Sequence, residues 1–301
     1  MKILVTGAYG QLGNEVNCLT SKYPDWQFLF TDVDTLDITN ENALEIWFQN
    51  NKPNYIVNCA AYTAVDKAET DSETAIEVNS LAPKQLAKQA KKSGAGLIHI
   101  STDYVFDGES FTPYSEEADV NPKSVYGESK LLGEKNCFEE NPDSVIIRTS
   151  WLYSSFGNNF VKTMLRLGVE RGQLKVVFDQ VGTPTYAADL ANSILSIIQI
   201  SEKQPDRFVP GIYHYSNEGV ASWYDFAKAI FEISEVKCIV SPVRSVEFPT
   251  LAKRPDFSVL DKSKIKNTFG IIVPYWRESL EKCISKLYFV SGDVRDNKDH
   301  C

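Results

Sequence analysis

No run of apolar residues in this chain approaches the roughly 20 needed to cross a bilayer. Basic residues are also in deficit: 31 Lys and Arg stand against 40 Asp and Glu, a net charge of −9. Those that are present are scattered, which argues against nucleic acid or an anionic membrane surface as a partner. Histidine is scarce. His99 sits in an apolar strand pattern and His214 between two tyrosines, so both read as strand or core residues rather than metal ligands. The six cysteines lie far apart with no Cys-x-x-Cys pair, which suits reduced thiols better than a zinc site or a disulfide framework. The first residues form a strand-like run without the layout of a signal peptide, and a cytoplasmic location is expected. What remains is an ordinary globular composition, with 43% hydrophobic and 24% charged residues. A chain of 301 residues can bury a large core, in one domain or two.

The chain does have a regular alternation of strand and helix over its first half. A buried strand over 1–6 leads into Gly7-Ala8-Tyr9-Gly10-Gln11-Leu12-Gly13 and then a helical pattern to about residue 21. Strands at 27–31, 55–59, 96–100 and 145–148 alternate with helices at 41–51, 73–93 and around Tyr126. This order predicts an α/β fold, a Rossmann-type doubly wound parallel sheet over 1–150. Beyond 150 the alternation loosens. A smaller C-terminal substrate-binding domain is expected over 151–288, with a strand near 211–216 returning to the main sheet and a loop-rich stretch at 242–260. The last helix is expected to end near 287, and 289–301 to fray.

Strand, glycine loop, helix is the context that gives such a motif meaning. Gly7 allows a tight turn, Gly10 lets backbone approach a pyrophosphate, and Gly13 lets the helix pack on the strand. The helix N-terminus adds free N–H groups for phosphate. Asp32 closes the second strand, where a carboxylate can grip an adenosine ribose and would repel a 2′-phosphate. Asp37-Ile38 suits edge contact and apolar packing against adenine, although Asp in a loop is also a common cap. Ligands of such a sheet belong beyond the strands' carboxyl ends. There the fourth strand presents Thr102, a donor for a substrate oxygen, and Asp103, an acceptor for a substrate hydroxyl. Tyr126 and Lys130 are four residues apart and share a helix face. A cation beside a phenol lowers its pKa from about 10, so the pair suits proton exchange with an alcohol or carbonyl oxygen. Tyr-x-x-x-Lys alone is common by chance; the glycine loop, the acid after the second strand and Thr102 change the odds.

Together these motifs resemble the extended short-chain dehydrogenases/reductases. Ala64-Val65-Asp66-Lys67-Ala68-Glu69, Ser101 to Phe106, Arg148-Thr149-Ser150-Trp151 and Asn158-Asn159-Phe160 are similar to the dTDP-4-dehydrorhamnose reductase family. That resemblance covers the chain to about residue 288. It implies hydride transfer from NADPH or NADH to C4 of a dTDP-4-dehydro sugar, the last step of dTDP-L-rhamnose synthesis. It implies Tyr126 as proton donor, Lys130 at the phenol and the nicotinamide ribose, and Thr102 polarising the carbonyl. Asp103 and Trp151 would contact the sugar, and Asn159 and Arg254 the nucleotide diphosphate. Gly10, Gln11, Leu12, Asp32, Asp37, Ile38, Ala61, Tyr62 and Thr63 would line the cofactor. Some family members hold Mg²⁺ at a dimer interface through a Glu; the matching residue here is Ala188, so no metal is expected. The resemblance leaves room for a homodimer. Rival readings are a sugar-nucleotide epimerase or dehydratase, and a non-catalytic regulator like the regulatory subunit of methionine adenosyltransferase. A dehydratase would carry Glu where this chain has Tyr104.

Overall fold

Six strands build the central sheet: β1 (Lys2–Thr6), β2 (Gln27–Thr31), β3 (Tyr55–Asn58), β4 (Gly96–Thr102), β5 (Val145–Thr149) and β10 (Gly211–Tyr215). They are parallel throughout and lie in the order β10-β5-β4-β3-β1-β2. The order reverses between β1 and β3, so a crevice opens beyond their carboxyl ends. The structure, a computed structural model, describes residues 1–292. The expected tail lies outside the described residues from 293 onward, and the last helix continues through Gly292 rather than ending near 287.

Both faces of the sheet are covered, which is why its strands read as continuous apolar runs. Ile3, Leu4 and Val5 are all fully buried, yet the pleat sends them to opposite faces. Leu4, Ile56, Leu97 and Ile146 pack against α2 (Glu41–Asn51), α5 (Ala82–Ser93) and α6 (Val125–Glu140). Ile3, Val5, Val57 and Ile98 pack against α1 (Gln11–Cys18), α8 (Ala187–Lys203) and α10 (Ser263–Phe269). Two of these helices come from beyond residue 150, so the later half of the chain closes the core of the first.

A second core joins α7 (Phe160–Arg171), α9 (Trp223–Ser234) and α11 (Trp276–Gly292). Short paired strands frame it: β6 (Leu152–Tyr153) with β9 (Thr185–Tyr186), β7 (Gln173–Val177) with β12 (Ile239–Val243), and β8 (Val181–Gly182) with β11 (Ala221–Ser222). The expected loop-rich stretch therefore begins inside a strand. Pro242 hides β12 in the sequence, but a two-stranded ribbon has free edges where a missing N–H is tolerated.

The helix expected over 73–93 is broken into α4 (Ser72–Ile76), a π turn (Glu77–Leu81) and α5. Pro83 has no N–H for the carbonyl of Asn79, so the α ladder cannot pass through this point. The short α3 (Val65–Ala68) precedes it. Among the described residues no helix is long and apolar enough to cross a membrane.

Candidate functional site

A cleft of about 1120 Å³ lies at the carboxyl ends of the parallel strands. The glycine loop forms one wall. Gly7 has φ +66°, and a Cβ there would meet Ala60 N at 2.6 Å, so the loop lies directly against the end of β3. A Cβ on Gly13 would meet Gly7 O at 2.4 Å, which places that glycine in helix packing and outside the cleft lining. At Gly10 the sole neighbour of an added Cβ is Gly7 O at 3.2 Å; the rest is open cleft. No side chain caps the N-terminus of α1, which leaves its first N–H groups for a ligand. The dinucleotide cradle expected from the sequence fits this wall.

Asp32 ties the loop to β2: Tyr9 N donates to Oδ2 at 2.9 Å and Val33 N to Oδ1 at 2.9 Å. Asp37 accepts from both the N–H and the hydroxyl of Thr39. Both carboxylates line the cleft, where Lys130 and Arg254 are the only Lys and Arg among the described residues. Ala61 and Thr63 line it too, but Tyr62 does not. Its hydroxyl turns to Asp71 Oδ2 at 3.0 Å, and its backbone is clamped on both sides by the Asn79 amide, at 2.8 and 3.0 Å. Asn79 is thus a supporting residue that the sequence reading left without a role.

Ser124 caps α6 through Gly127 N, and Tyr126, Lys130 and Glu134 follow on successive turns of one buried face. Lys130 is not turned to the phenol. Its Nζ donates to Ile100 O at 2.6 Å and lies 3.5 Å from His99 Nε2, and burial takes its pKa down to about 8. The expected depression of the Tyr126 pKa is absent here. Burial pushes the phenol up instead, with Thr102 pulling the other way and Asp103 and Tyr104 adding to the rise. The Thr102 hydroxyl donates to Asp103 Oδ1 at 3.0 Å and accepts from Tyr104 N at 3.2 Å. Burial holds the Asp103 carboxyl up at about 7.

Behind these groups lies a charged cluster that sequence reading missed. Arg148 makes a bidentate pair with Glu134 at 2.8 and 2.7 Å, and Ser101 Oγ donates to the same carboxylate at 2.5 Å. It bolts the end of β4, which carries Thr102, to α6, which carries Tyr126. Glu134, one turn beyond Lys130, was the available signal.

On the far wall, Trp151 has φ +48°, a backbone strain of the kind found at functional sites. One face of its ring is stacked on Trp223 at 3.5 Å and 6°, so a sugar can reach only what that partner leaves open. The Asn159 amide caps α7 through Lys162 N and donates to Gln11 Oε1 and Ser154 O. Those bonds join the wall to the glycine-loop helix and leave little of the amide for a diphosphate. Arg254 also lines the cleft, but its guanidinium is held by Asp66 at 2.7 Å and Tyr104 Oη at 3.2 Å.

The family described as the RmlD substrate binding domain matches residues 1–289. A dTDP-4-dehydrorhamnose reductase of Aggregatibacter actinomycetemcomitans is 42% identical, over 93% of this chain and 97% of its own length. Among solved structures, a dTDP-4-dehydrorhamnose reductase of Clostridium acetobutylicum is 46% identical with TM-score 0.90, over 96% of this chain and all of that one. The corresponding enzyme of Bacillus anthracis, solved in complex with NADP, is 39% identical with TM-score 0.89, over 95% of this chain and 99% of that one. With residues 1–289 matched and its motifs gathered on one cleft, the chain belongs to the RmlD family, that of the dTDP-4-dehydrorhamnose reductases.

Proposed function

We propose that this chain reduces dTDP-4-dehydro-β-L-rhamnose to dTDP-L-rhamnose with NADPH or NADH. The observation that carries the reading is the convergence of Thr102, Tyr126 and Lys130 on the cleft that the glycine loop also lines. The backbone of Gly7, Gly10, Gln11 and Leu12 would hold the pyrophosphate, Asp32, Asp37 and Ile38 the adenosine, and Lys130 the nicotinamide ribose. Bound there, the reduced nicotinamide would supply a hydride to C4 of the sugar. Tyr126 then gives the proton from its hydroxyl to the C4 oxygen. A phenol with a raised pKa keeps that proton until the oxygen becomes an alkoxide, and the rise brings the two basicities closer together. Lys130, titrating near 8, is mainly an ammonium at neutral pH and its charge favours the developing oxyanion. Trp151 offers the sugar the part of its ring that Trp223 leaves free. We assign 1–150, with the returning strand β10, to the cofactor and 151–288 mainly to the sugar nucleotide.

A dehydratase would need an acid after Thr102-Asp103, and Tyr104 there has its hydroxyl engaged by Arg254. The reading extends to a cytoplasmic enzyme assembling as a homodimer, which cell fractionation and light scattering test. The direct experiment follows NAD(P)H absorbance with dTDP-4-dehydrorhamnose. Tyr126→Phe keeps the ring and loses the proton, so kcat should fall about 10²–10⁴-fold with cofactor affinity preserved. A near wild-type rate in that variant would remove Tyr126 as the acid. An NAD that stays bound through purification, with no net oxidation, would favour an epimerase.

A further inference from the structure

A threonine hydroxyl has one proton to give and two lone pairs to offer. At Thr102 the proton goes to Asp103 Oδ1 and one lone pair takes the Tyr104 N–H. What is left for the cleft, on the side that faces the Tyr126 hydroxyl, is a lone pair. A carbonyl oxygen arriving beside Tyr126 would meet lone pair against lone pair, and Thr102 would not polarise it.

The count reverses if Asp103 carries a proton. Asp103 is 3% exposed; its Oδ2 makes no hydrogen bond of normal geometry, although the Ser258 hydroxyl is near enough to favour the carboxylate. A proton on Oδ2 would be a buried donor with no well-placed acceptor, an unfavourable state. A proton on Oδ1 has Thr102 Oγ1 at 3.0 Å to accept it. Thr102 Oγ1 then accepts from both Asp103 and Tyr104, and its own proton is released toward the cleft. We propose that Asp103 is a positioning residue whose acid form turns the Thr102 hydroxyl into a donor toward the substrate carbonyl, and whose carboxylate form turns it away. This rests on the reductase reading of the site. No bond to substrate is made or broken at Asp103, so the balance of one hydride and the one Tyr126 proton is unchanged.

Burial keeps both forms within reach near neutrality, the carboxyl being held up at about 7 while Thr102 and Ser258 pull it down. The ionisable groups facing Asp103 are Tyr126 on α6 and Tyr104 next to it, with Arg254 reaching the Tyr104 hydroxyl. Tyr104 is pushed up to about 12 by burial and Tyr126 is raised also, so neither titrates near neutrality. Lys130, near 8, is the other group to separate.

Asp103→Asn cannot ionise, and an amide donating to Thr102 mimics the acid form. The wild-type kcat/KM for the dTDP-sugar should fall about fourfold between pH 6 and pH 7.5, and that of Asp103→Asn by less than about 1.5-fold, the residue of Lys130. Equal falls in the two proteins would overturn the proposal. A second measurement does not depend on the sugar. Infrared difference spectra of wild type against Asp103→Asn should show a carboxylic-acid C=O band at pH 6 that fades through neutrality. In Thr102→Val that titration should move upward, because the lost hydrogen bond favoured the carboxylate. A band missing at pH 6, or one that titrates alike with and without the Thr102 hydroxyl, would sink the idea. A wrong sugar would silence the rate measurement alone and leave the infrared result to decide.

Discussion

Lys130 shows the tension between function and stability at the scale of one side chain. It is 1% exposed, and its Nζ has a single close acceptor, Ile100 O. Its folded pKa of about 8 lies below the unfolded value of about 10.4, so between those values the unfolded state binds more protons. The group's contribution to stability therefore rises with pH through that window, and its cost is fully present below pH 8. Lys130→Met should raise stability at pH 7 by on the order of 1–3 kcal/mol, with the gain shrinking toward pH 10. The same variant should lower kcat and raise the cofactor KM. Denaturant titrations at pH 7 and pH 10 measure this; a variant less stable at pH 7 would show Lys130 to be a net support of the fold. The residue types of the site were legible in the sequence because they recur at spacings set by local geometry. Gly7, Gly10 and Gly13 follow a strand, and Tyr126 and Lys130 share a helix face. Side-chain directions were not legible. Lys130 turns to a β4 carbonyl, Thr102 to Asp103, Asn159 to a helix cap, and Trp151 to a tryptophan far along the chain. The choices of Lys130 and Trp151 depend on tertiary neighbours that no local pattern encodes, whereas those of Thr102 and Asn159 fall on residues within three positions.

At the scale of elements, the π turn at Glu77–Leu81 is where local sequence and packing had to agree. Pro83 frees the Asn79 carbonyl from the helical ladder, and that oxygen lies against α6 at Gly133. A Cβ on Gly133 would stand 2.1 Å from it, closer than any real contact. The same Asn79 turns its amide to the Tyr62 backbone and to Ser129 Oγ. One residue thus fixes both the loop after β3 and the approach of α6. Gly133→Ala would gain about 1 kcal/mol of helix propensity at an unconstrained site. Here it should lose about 1–3 kcal/mol through overpacking, and the cofactor KM should rise as the Tyr62 loop shifts. Thermal unfolding read beside the KM decides, and a stabilised variant would show that the close approach does not constrain α6. The parallel sheet and its first five strands were readable from alternation. The π turn and β12 were not, because Pro83 and Pro242 carry opposite messages: one interrupts a helix that resumes, the other sits inside a strand.

For the whole molecule, the question is what keeps the second core seated on the first, since the cleft runs along their junction. Among the polar ties that cross it are Asn159 to Gln11, Arg254 to Asp66, and Lys286 with Ser154 to Glu15. Of these three the last is the most buried. Glu15 lies on α1, the helix that opens on the glycine loop, and is 1% exposed. Ser154 Oγ donates to its Oε1 at 2.6 Å, and the Lys286 ammonium reaches Oε2 at 3.1 Å while standing 4.7 Å over the Phe156 ring. Removing the ammonium leaves a buried carboxylate with only a hydroxyl for a partner. Breaking a fully buried pair from one side costs about 3–5 kcal/mol. The Lys286 side chain is 29% exposed, so water softens the loss, and Lys286→Met should cost about 1–3 kcal/mol. Glu15→Gln removes the stranded charge, so Glu15→Gln with Lys286→Met should recover much of what the single lysine change loses. The two together should then unfold at a higher temperature than Lys286→Met alone. Because α1 also carries the phosphate end of the cradle, Lys286→Met should raise the cofactor KM more than it lowers kcat. Additive losses in the double variant, with cofactor KM unmoved, would mean that the tie does not seat α1 and that the apolar junction alone holds the cleft in shape.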